Sequence, residues 1–213
     1  MNVTVFGATG AIGSLTVDEL LDNGHTVTAY ARNPAKVPPW WDGCVRIVIG
    51  EMSDAAAIDS AVDGADAVVS ALGPSMDRKA TGLPLVTGTR QILAAMHRHT
   101  VRRYIGQGTP SIADPLEKET MQTRLVSFMG RTLLRRAYDE LLGMTSLIQK
   151  ADVDWTIVRF TAPKDGPKTG KIRAGFYGTD KTGFPITRAD IAAFTAAQVD
   201  SDTYLRRAPA ISN

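Results

Sequence analysis

The chain has 213 residues, and its 24 Lys and Arg against 22 Asp and Glu give a formal net charge of only +2. So small a charge argues against a protein that neutralises nucleic-acid phosphates, and 44% hydrophobic residues exclude a disordered chain. One cysteine, Cys44, excludes a disulfide framework and a cysteine-based zinc site, and we expect no bound metal. The apolar runs are far shorter than the about 20 residues that a membrane-spanning helix needs, so we expect no membrane span. The chain starts without the basic leader of a signal peptide, so we expect a cytoplasmic protein.

The chain alternates short apolar strands with amphipathic helices. Strands are predicted, in chain order, at Asn2–Phe6, Thr26–Ala31, Val45–Ile49, Ala67–Leu72, Arg103–Ile105 and Trp155–Phe160. Helices are predicted at Ala11–Asn23, Asp54–Val62 and Leu85–Arg98, and from about Glu119 to Lys150, with Gly130 and Gly143 as candidate division points. Strands that are apolar on both faces and alternate with helices predict a doubly wound α/β fold with a parallel sheet.

The pattern changes after Phe160. Residues Thr161–Pro185 are rich in Gly, Lys and Thr, which predicts a loop with short strands at most. Thr187 and Asp190 have the spacing of a capping box for a helix over Arg188–Val199. A final apolar stretch, Ala208–Ile211, predicts an edge strand, and we expect a single domain over residues 1–213.

Three glycines follow the first strand directly, in the order Gly7-Ala-Thr-Gly10-Ala-Ile-Gly13. Glycine at these positions permits a tight turn, close approach of the backbone to a diphosphate and close packing of helix on strand. The helix that follows offers unpaired N–H groups to the same anion. We therefore predict that Gly7, Thr9, Gly10, Ile12 and Gly13 bind a dinucleotide, against the alternative of a purely structural turn.

The second strand ends at a cation. NAD-binding units usually carry Asp or Glu about 20 residues after the glycines, where the carboxylate binds the ribose 2′-hydroxyl. This chain carries Arg32 there, followed by Asn33, and we assign both to the cofactor site. An arginine can pair with a 2′-phosphate that a carboxylate would repel, so we predict NADP(H) rather than NAD(H). The alternative for Arg32 is a solvated surface side chain.

The next two strand ends complete the predicted cofactor site. Ligands of open α/β sheets bind outside the carboxyl ends of the strands. Glu51 and Met52 follow the third strand, and we predict them beside the adenine. Ala71, Leu72 and Gly73 follow the fourth strand, and we predict them beside the ribose and diphosphate.

Five stretches of the chain carry a family resemblance, and they are Phe6–Gly13 (FGATGAIG), Ala31–Pro34 (ARNP), Gly64–Gly73 (GADAVVSALG), Asp154–Arg159 (DWTIVR) and Thr187–Ala192 (TRADIA). In this order they resemble atypical short-chain dehydrogenases/reductases of the NmrA-like, NAD(P)H-binding subgroup, close to biliverdin and flavin reductase-like proteins. The resemblance implies a Rossmann-type fold, NADP(H) binding and reduction of a small organic acceptor such as a flavin or a quinone-like compound.

The catalytic pair of the superfamily is missing from its usual helix. Members with the full set carry Tyr-x-x-x-Lys after strand five, but here Tyr138 is followed four residues later by Leu142. Tyr177 and Lys181 have the right spacing, but they lie in the glycine-rich loop. A lysine lowers the pKa of a tyrosine only when both share a helix face, so we interpret this match as chance.

Two hydroxyls after strand five are the remaining catalytic candidates. Thr109 or Ser111 could bind the nicotinamide carboxamide or the acceptor, and a loop that only shapes the pocket is an equal alternative. We expect an NADPH-dependent reductase of a small aromatic acceptor, with residues 161–213 forming much of the acceptor site. The alternative is a catalytically weak NADP(H) sensor. We expect a monomer or small homo-oligomer that binds neither nucleic acid nor membrane.

Overall fold

The computed structural model describes residues 1–75, 81–118 and 120–213, without the side chains of residues 122, 126, 127 and 129. The strands are β1 Asn2–Phe6, β2 Thr26–Ala31, β3 Val45–Ile49, β4 Ala67–Ser70, β5 Arg103–Gly108, β6 Asp154–Arg159, β7 Pro163–Lys164, β8 Arg173–Gly175, β9 Ile186–Thr187 and β10 Ala210–Ser212. The helices are α1 Gly13–Asp22, α2 Ala55–Val62, α3 Pro84–Arg98, α4 Met121–Leu133, α5 Arg135–Lys150 and α6 Arg188–Ala197.

Eight strands form one sheet in the order β3-β2-β1-β4-β5-β6-β10-β8, and β7 pairs with β9 separately. Every neighbouring pair from β3 to β10 is parallel, and only β8 runs antiparallel to its neighbour β10. The chain order reverses at β1, which has β2 on one side and β4 on the other. The predicted Rossmann-type doubly wound fold is confirmed, and the reversal places a ligand crevice at the carboxyl end of β1.

Helices cover both faces of the sheet, as strands apolar on both sides require. One buried cluster joins the sheet to α2, α3 and α5 through side chains such as Ile58, Ile92 and Ile148. The other joins it to α1 and α6 through side chains such as Val17 and Ile191. Within the described ranges, no helix combines the length and the apolar character needed to cross a membrane.

The last strand is not the edge strand that its sequence predicts. Ala210 pairs in parallel with Arg159 of β6 and antiparallel with Gly175 of β8, so β10 lies inside the sheet. The edge is β8, which belongs to the glycine-rich segment after β6. The predicted edge position of this strand is wrong, because the sequence of an apolar strand does not indicate whether it pairs with a neighbour on one side or on both.

The long helical segment divides at Leu134, where φ is −131° and ψ is 37°, and not at either glycine. A Cβ on Gly130 would lie 2.7 Å from Cδ2 of Tyr138, and one on Gly143 would lie 2.8 Å from Cγ2 of Val86. Both glycines therefore sit inside helices and make room for a neighbouring side chain. The predicted division points are wrong for that reason.

Candidate functional site

A cavity of about 700 Å³ opens at the carboxyl ends of β1 to β4 and reaches the first turns of α3 and α5. We call it the nucleotide cavity. Ten of the twelve residues predicted to bind the cofactor line it, namely Gly7, Thr9, Gly10, Arg32, Asn33, Glu51, Met52, Ala71, Leu72 and Gly73. Ile12 and Gly13 lie at the start of α1, behind this lining. The fold thus brings together residues that are spread over the first 73 positions of the chain.

The glycine turn is shaped by close backbone packing. Gly7 has φ +76°, and a Cβ on it would lie 2.9 Å from the carbonyl group of Ala71 at the end of β4. A Cβ on Gly13 would lie 2.1 Å from the carbonyl oxygen of Gly7. The N–H of Gly10 donates to that same oxygen at 3.0 Å and closes the turn. Gly7 and Gly13 therefore let α1 begin directly against the strand ends.

The N-terminus of α1 differs from those of α2 and α6. Asp54 caps α2 by accepting from the N–H of Ala57 at 2.9 Å, and Thr187 caps α6. In the described chain no side chain caps α1 at Ile12, and its first turn contains no acidic residue. Helical N–H groups without internal partners, together with the helix dipole, favour an anion at this end. The arrangement suits the diphosphate of a dinucleotide.

Two cationic side chains follow the end of β2. Arg32 and Lys36 are exposed and line the nucleotide cavity. Asn33 also lines it, but its Oδ1 accepts from the N–H of Ala35 at 3.0 Å and caps a short 3₁₀ turn at Pro34–Lys36. The region can therefore neutralise a phosphate through two side chains that do not support the core.

Tyr30 is a cavity residue that the sequence analysis did not identify. Its hydroxyl donates to the carbonyl of Glu51 at 2.8 Å, and a Cβ on Gly50 would lie 2.3 Å from that hydroxyl. Burial, followed by the negative charges of Asp54 and Glu51, raises the pKa of Tyr30 to about 12. The hydroxyl therefore stays protonated and keeps the ends of β2 and β3 together.

An ion pair on α5 between a partly exposed arginine and a buried carboxylate forms the opposite wall. The Glu140 side chain is only 1% exposed, and it accepts from the N–H of Leu85 at 2.8 Å and from Nη1 of Arg136 at 3.2 Å. Arg136 also donates to the carbonyls of Ser75 and Gly82. Both residues line the nucleotide cavity, on the helix that carries Tyr138. Their i,i+4 spacing was the signal available in the sequence.

A second cavity of about 980 Å³ lies between α4 and the loop that follows β5. We call it the α4 cavity, and its lining includes Ser111, Glu117, Lys118, Leu125, Phe128 and Arg131. The structure therefore places Ser111 in this cavity and not in the nucleotide cavity. Thr109 is exposed and lines neither of the two, and its hydroxyl accepts from the N–H of Ser111 at 3.4 Å.

The loop after β5 is fixed by a buried arginine of β6. Arg159 is fully buried, and its Nη2 lies 2.5 Å from Oε1 of Glu117, while Nη1 donates to the carbonyl of Ile112. The same carboxylate oxygen accepts from the N–H of Tyr177 at 3.1 Å, and the Tyr177 ring centroid lies 5.2 Å from the guanidinium carbon. Tyr177 thus packs against Arg159 in a turn, which agrees with a chance match to the catalytic spacing.

A buried carboxylate organises the segment after β6. Asp190 is fully buried and accepts from the hydroxyl of Thr187, the hydroxyl and N–H of Thr169, the N–H of Gly170 and the side-chain amide of Asn213. Burial would raise the pKa of Asp190, but these hydrogen bonds outweigh it and hold the pKa below its usual value. Thr187 and Asp190 form the helix start that their spacing predicts.

A family model described as NAD(P)H-binding matches residues 7–202 of the chain. The chain belongs to this NAD(P)H-binding family. The match begins at Gly7 of the turn and includes all the described residues of both cavities named above. The cofactor class is therefore a nicotinamide nucleotide, as the turn and the strand ends predict.

Solved structures share the fold. An oxidoreductase, ylbE, from Lactococcus lactis is 19% identical with a TM-score of 0.80, covering 100% of this chain and 91% of that one. An anaerobilin reductase, ChuY, from Escherichia coli O157:H7 is 18% identical with a TM-score of 0.79, covering 99% and 96%. A wide-type short-chain dehydrogenase/reductase from Veillonella parvula, solved with NADP, is 20% identical with a TM-score of 0.78, covering 100% and 94%.

Curated relatives match over shorter stretches. A 4-hydroxy-tetrahydrodipicolinate reductase from Natronomonas pharaonis is 37% identical over 95 residues, which is 42% of this chain and 35% of that protein. The Mycobacterium tuberculosis protein Rv2047c is 35% identical over 68 residues, or 32% of this chain and 8% of that protein. The chain thus spans well under half the length of these curated relatives.

Proposed function

We propose that this protein is an NADPH-dependent reductase that transfers a hydride to a small aromatic acceptor such as a flavin or a quinone. The observation that carries the proposal is the nucleotide cavity, where the glycine turn, the uncapped start of α1 and Arg32 meet at the topological reversal. The family match supports the nicotinamide nucleotide. The fold shared with a protein solved with NADP and with an anaerobilin reductase is in keeping with the reaction class.

The described residues fit the proposed cofactor. A volume of about 700 Å³ is within the usual range of ligand cavities. The absence of a Cβ at Gly10 and the free N–H groups at the start of α1 would hold the diphosphate. Arg32 and Lys36 would hold the 2′-phosphate of NADPH, and Arg136 with Glu140 would fix the far wall.

The reaction needs binding and orientation more than acid catalysis from the protein. When bound, NADPH supplies a hydride and is oxidised to NADP⁺, while the acceptor gains that hydride and one proton from solvent and is reduced by two electrons. Among the described residues, no tyrosine shares a helix face with a lysine in either cavity. Flavins and quinones suit such a site because conjugation stabilises their reduced forms, whereas a simple ketone does not.

Ser111 is the better of the two predicted catalytic hydroxyls in this proposal. It lines the α4 cavity, where we place the acceptor, whereas Thr109 lies outside both linings. The lining of this cavity comes from residues 110–131 and not from residues 161–213, where the sequence led us to expect much of the acceptor site. We expect Ser111→Ala to lower kcat if the hydroxyl contacts the reacting acceptor, with Thr109→Ala as the matched control. An unchanged kcat in both variants would leave the loop with a shaping role only.

Two measurements test the proposal as a whole. Calorimetric titration should show binding of NADPH in preference to NADH, and NADPH absorbance should fall when flavins or quinones are added. Tight binding of NADPH without turnover of any acceptor would favour the NADP(H) sensor instead. Absence of NADPH binding would contradict both functions, because each depends on the same nucleotide cavity.

A further inference from the structure

Helix α4 carries an apolar face that the protein core does not cover. Met121, Leu125 and Phe128 are 89%, 59% and 64% exposed. They lie at positions i, i+4 and i+7 of one helix, so they share a face. The helix packs mainly on α5 and lies at the outside of the molecule. A surface helix ordinarily turns its apolar side inwards, so this exposed face calls for a partner.

Large exposed apolar side chains are concentrated around this helix. Of the eleven that the described part of the chain exposes, six lie within residues 116–134, and these are Leu116, Met121, Leu125, Phe128, Leu133 and Leu134. Single exposed apolar residues are normal on a protein surface, whereas a concentrated group usually marks a binding surface. The surface around α4 is therefore suited to an apolar partner.

The same stretch of chain is strongly cationic. Residues 120–138 contain four arginines and no Asp or Glu, in a chain whose formal net charge is only +2. Arg124 and Arg131 are exposed and lie four and three residues from Phe128, so both are beside the apolar face. Lys118, in the loop before the helix, adds a third exposed cation. The partner that complements this surface is therefore both apolar and anionic.

The carboxylates near the helix are withdrawn from this surface. Glu117 is paired with the buried Arg159. Asp114 is only 4% exposed and accepts from the N–H groups of Leu116 and Ala208, at 2.9 and 2.8 Å. Neither carboxylate is therefore placed to repel an anionic partner strongly.

An apolar face beside arginines fits the headgroup region of an anionic bilayer. There the apolar side chains enter the acyl boundary, while the long arginine side chains extend to the lipid phosphates. A fluid surface accepts projecting side chains without the matched pockets that a folded partner has to supply. A second copy of the chain fits less well, because a two-fold axis through α4 would bring the arginines of both copies together.

We infer that α4 is an interfacial anchor that lies on the surface of a bilayer containing anionic lipids. Leu125 and Phe128 enter the acyl boundary. Arg124 and Arg131 bind the lipid phosphates. The sequence led us to expect no membrane partner, because no apolar run is long enough to span a bilayer, but a helix that lies in the headgroup region needs no such run. The inference goes beyond the proposed reductase and does not rest on it.

Flotation of the full chain with lipid vesicles tests the inference. One set of vesicles contains phosphatidylcholine alone, and the other contains phosphatidylcholine and phosphatidylglycerol in equal parts. We expect binding to the anionic set to be at least about tenfold tighter, and most of that preference to be lost at high salt. Equal binding to both sets, or binding to neither, would overturn the inference.

Two double variants separate the apolar and the charged contributions. Leu125→Ser/Phe128→Ser should weaken binding to both sets of vesicles. Arg124→Gln/Arg131→Gln should bring binding to the anionic set close to that of phosphatidylcholine alone. All four side chains are exposed, so circular dichroism should show an unchanged fold. Unchanged vesicle binding in both variants would overturn the assignment to α4.

The matched control is Trp40→Ser/Arg46→Gln. It removes one exposed large apolar side chain and one exposed cation near β3, at the far edge of the sheet. We expect vesicle binding to be unchanged in this control. A loss as large as that of the α4 variants would overturn the inference, because it would show that any apolar or cationic surface residue contributes equally.

Phe128→Trp reports whether the apolar face enters the bilayer. With anionic vesicles, its emission should shift to shorter wavelength and be quenched by lipids with brominated acyl chains, after subtraction of the signal of the unchanged protein. Vesicle binding without the shift and the quenching would show adsorption through the cations alone. That result would overturn the anchor, because the apolar face would remain in water.

Two other occupants of the face give different results. A synthetic helical peptide with leucine on one face and glutamate on the other would bind if the face receives an acidic protein segment. Sedimentation would show a dimer that Leu125→Ser/Phe128→Ser dissociates if the face receives a second copy. Either result without vesicle binding would overturn the bilayer as the occupant. None of these measurements uses NADPH oxidation, so failure of the reductase proposal would leave the inference standing, and the reverse also holds.

Discussion

The nucleotide cavity and the α4 cavity lie at the same edge of the sheet, yet they are built differently. The first is formed by backbone at the strand ends, where Gly7 contacts Ala71 and α1 starts without a side-chain cap. The second is formed by side chains of α4 and by a loop that a single buried arginine, Arg159, ties to β6. A backbone-built site follows from the fold itself, whereas a side-chain-built site can change its ligand by substitution.

The largest difference between the two cavities is expected from Arg159→Met, which should lower the free energy of unfolding and leave NADPH affinity unchanged. Removing one partner of a buried ion pair costs about 3–5 kcal/mol, because the other charge is left without compensation. Urea denaturation should show this loss in the free energy of unfolding, while calorimetry should show NADPH affinity close to that of the unchanged protein. The double variant Glu117→Gln/Arg159→Met should recover part of the stability. A parallel loss of NADPH affinity would show that the two cavities are not independent.

Gly13→Ala probes the backbone-built cavity. Its Cβ would lie 2.1 Å from the carbonyl oxygen of Gly7, and forced overpacking of this kind costs about 1–3 kcal/mol. We expect both the free energy of unfolding and NADPH affinity to fall. Gly88→Ala is the control for stability only, since its Cβ would lie 2.4 Å from the flexible Cε of Met52 and 3.0 Å from the Met52 Cβ, and alanine favours a helix. It does not serve as a control for NADPH affinity, because Met52 lines the nucleotide cavity. Equal stability losses in the two variants would contradict the packing explanation.

Arg32→Ala tests cofactor choice within the same cavity. We expect NADPH affinity to fall by about tenfold, equivalent to about 1.4 kcal/mol, with NADH affinity unchanged, because only NADPH carries the 2′-phosphate. Calorimetric titration with both nucleotides measures the ratio. Arg46→Ala is the control, because Arg46 binds Ser60 on the surface and lies outside the cavity lining. Equal losses for NADPH and NADH would assign Arg32 to the adenine or to general packing.

The smallest effect concerns pH and the segment after β6. The pKa of Asp190 is held below its usual value in the folded protein. The ionised Asp190 carboxylate therefore contributes its full stabilisation above about pH 4, which is the pKa of an aspartate in the unfolded chain. That contribution is lost as the pH falls through the folded pKa. Hydrogen exchange should show the segment around Thr169 and Gly170 opening in acid before the glycine turn does. Asp190→Asn should remove this pH dependence, and an unchanged acid profile in that variant would contradict the assignment.

The sequence predicts features that depend on neighbouring residues and misses those that depend on distant ones. Strand β1, the glycine turn and the helix start at Thr187 are local patterns, and all three are confirmed. The Arg159–Glu117 pair joins residues 42 positions apart, so no local pattern indicates it. The loop after β5 shows the same limit, since its path decides that Ser111 lines the α4 cavity while Thr109 lies outside.

The cavity residues of α5 were missed for a different reason. The Tyr-x-x-x-Lys motif directs attention to Tyr138 on that helix, and not to Arg136 or Glu140. Their i,i+4 spacing is visible in the sequence, but ion pairs with this spacing are common on solvent-exposed helix faces. Only the packing of α5 against the start of α3 buries Glu140 and gives the pair its place at the nucleotide cavity.

The interior position of β10 has a consequence for biosynthesis. Ribosomes add about 5–20 residues per second, so roughly 3–10 s separate the synthesis of β6 from that of β10. During that interval the nascent sheet presents β6 as an open edge, and open edges invite pairing with other chains. Yield in the cell should therefore depend on how quickly translation proceeds between Arg159 and Ala210, or on a chaperone that shields β6 until β10 arrives.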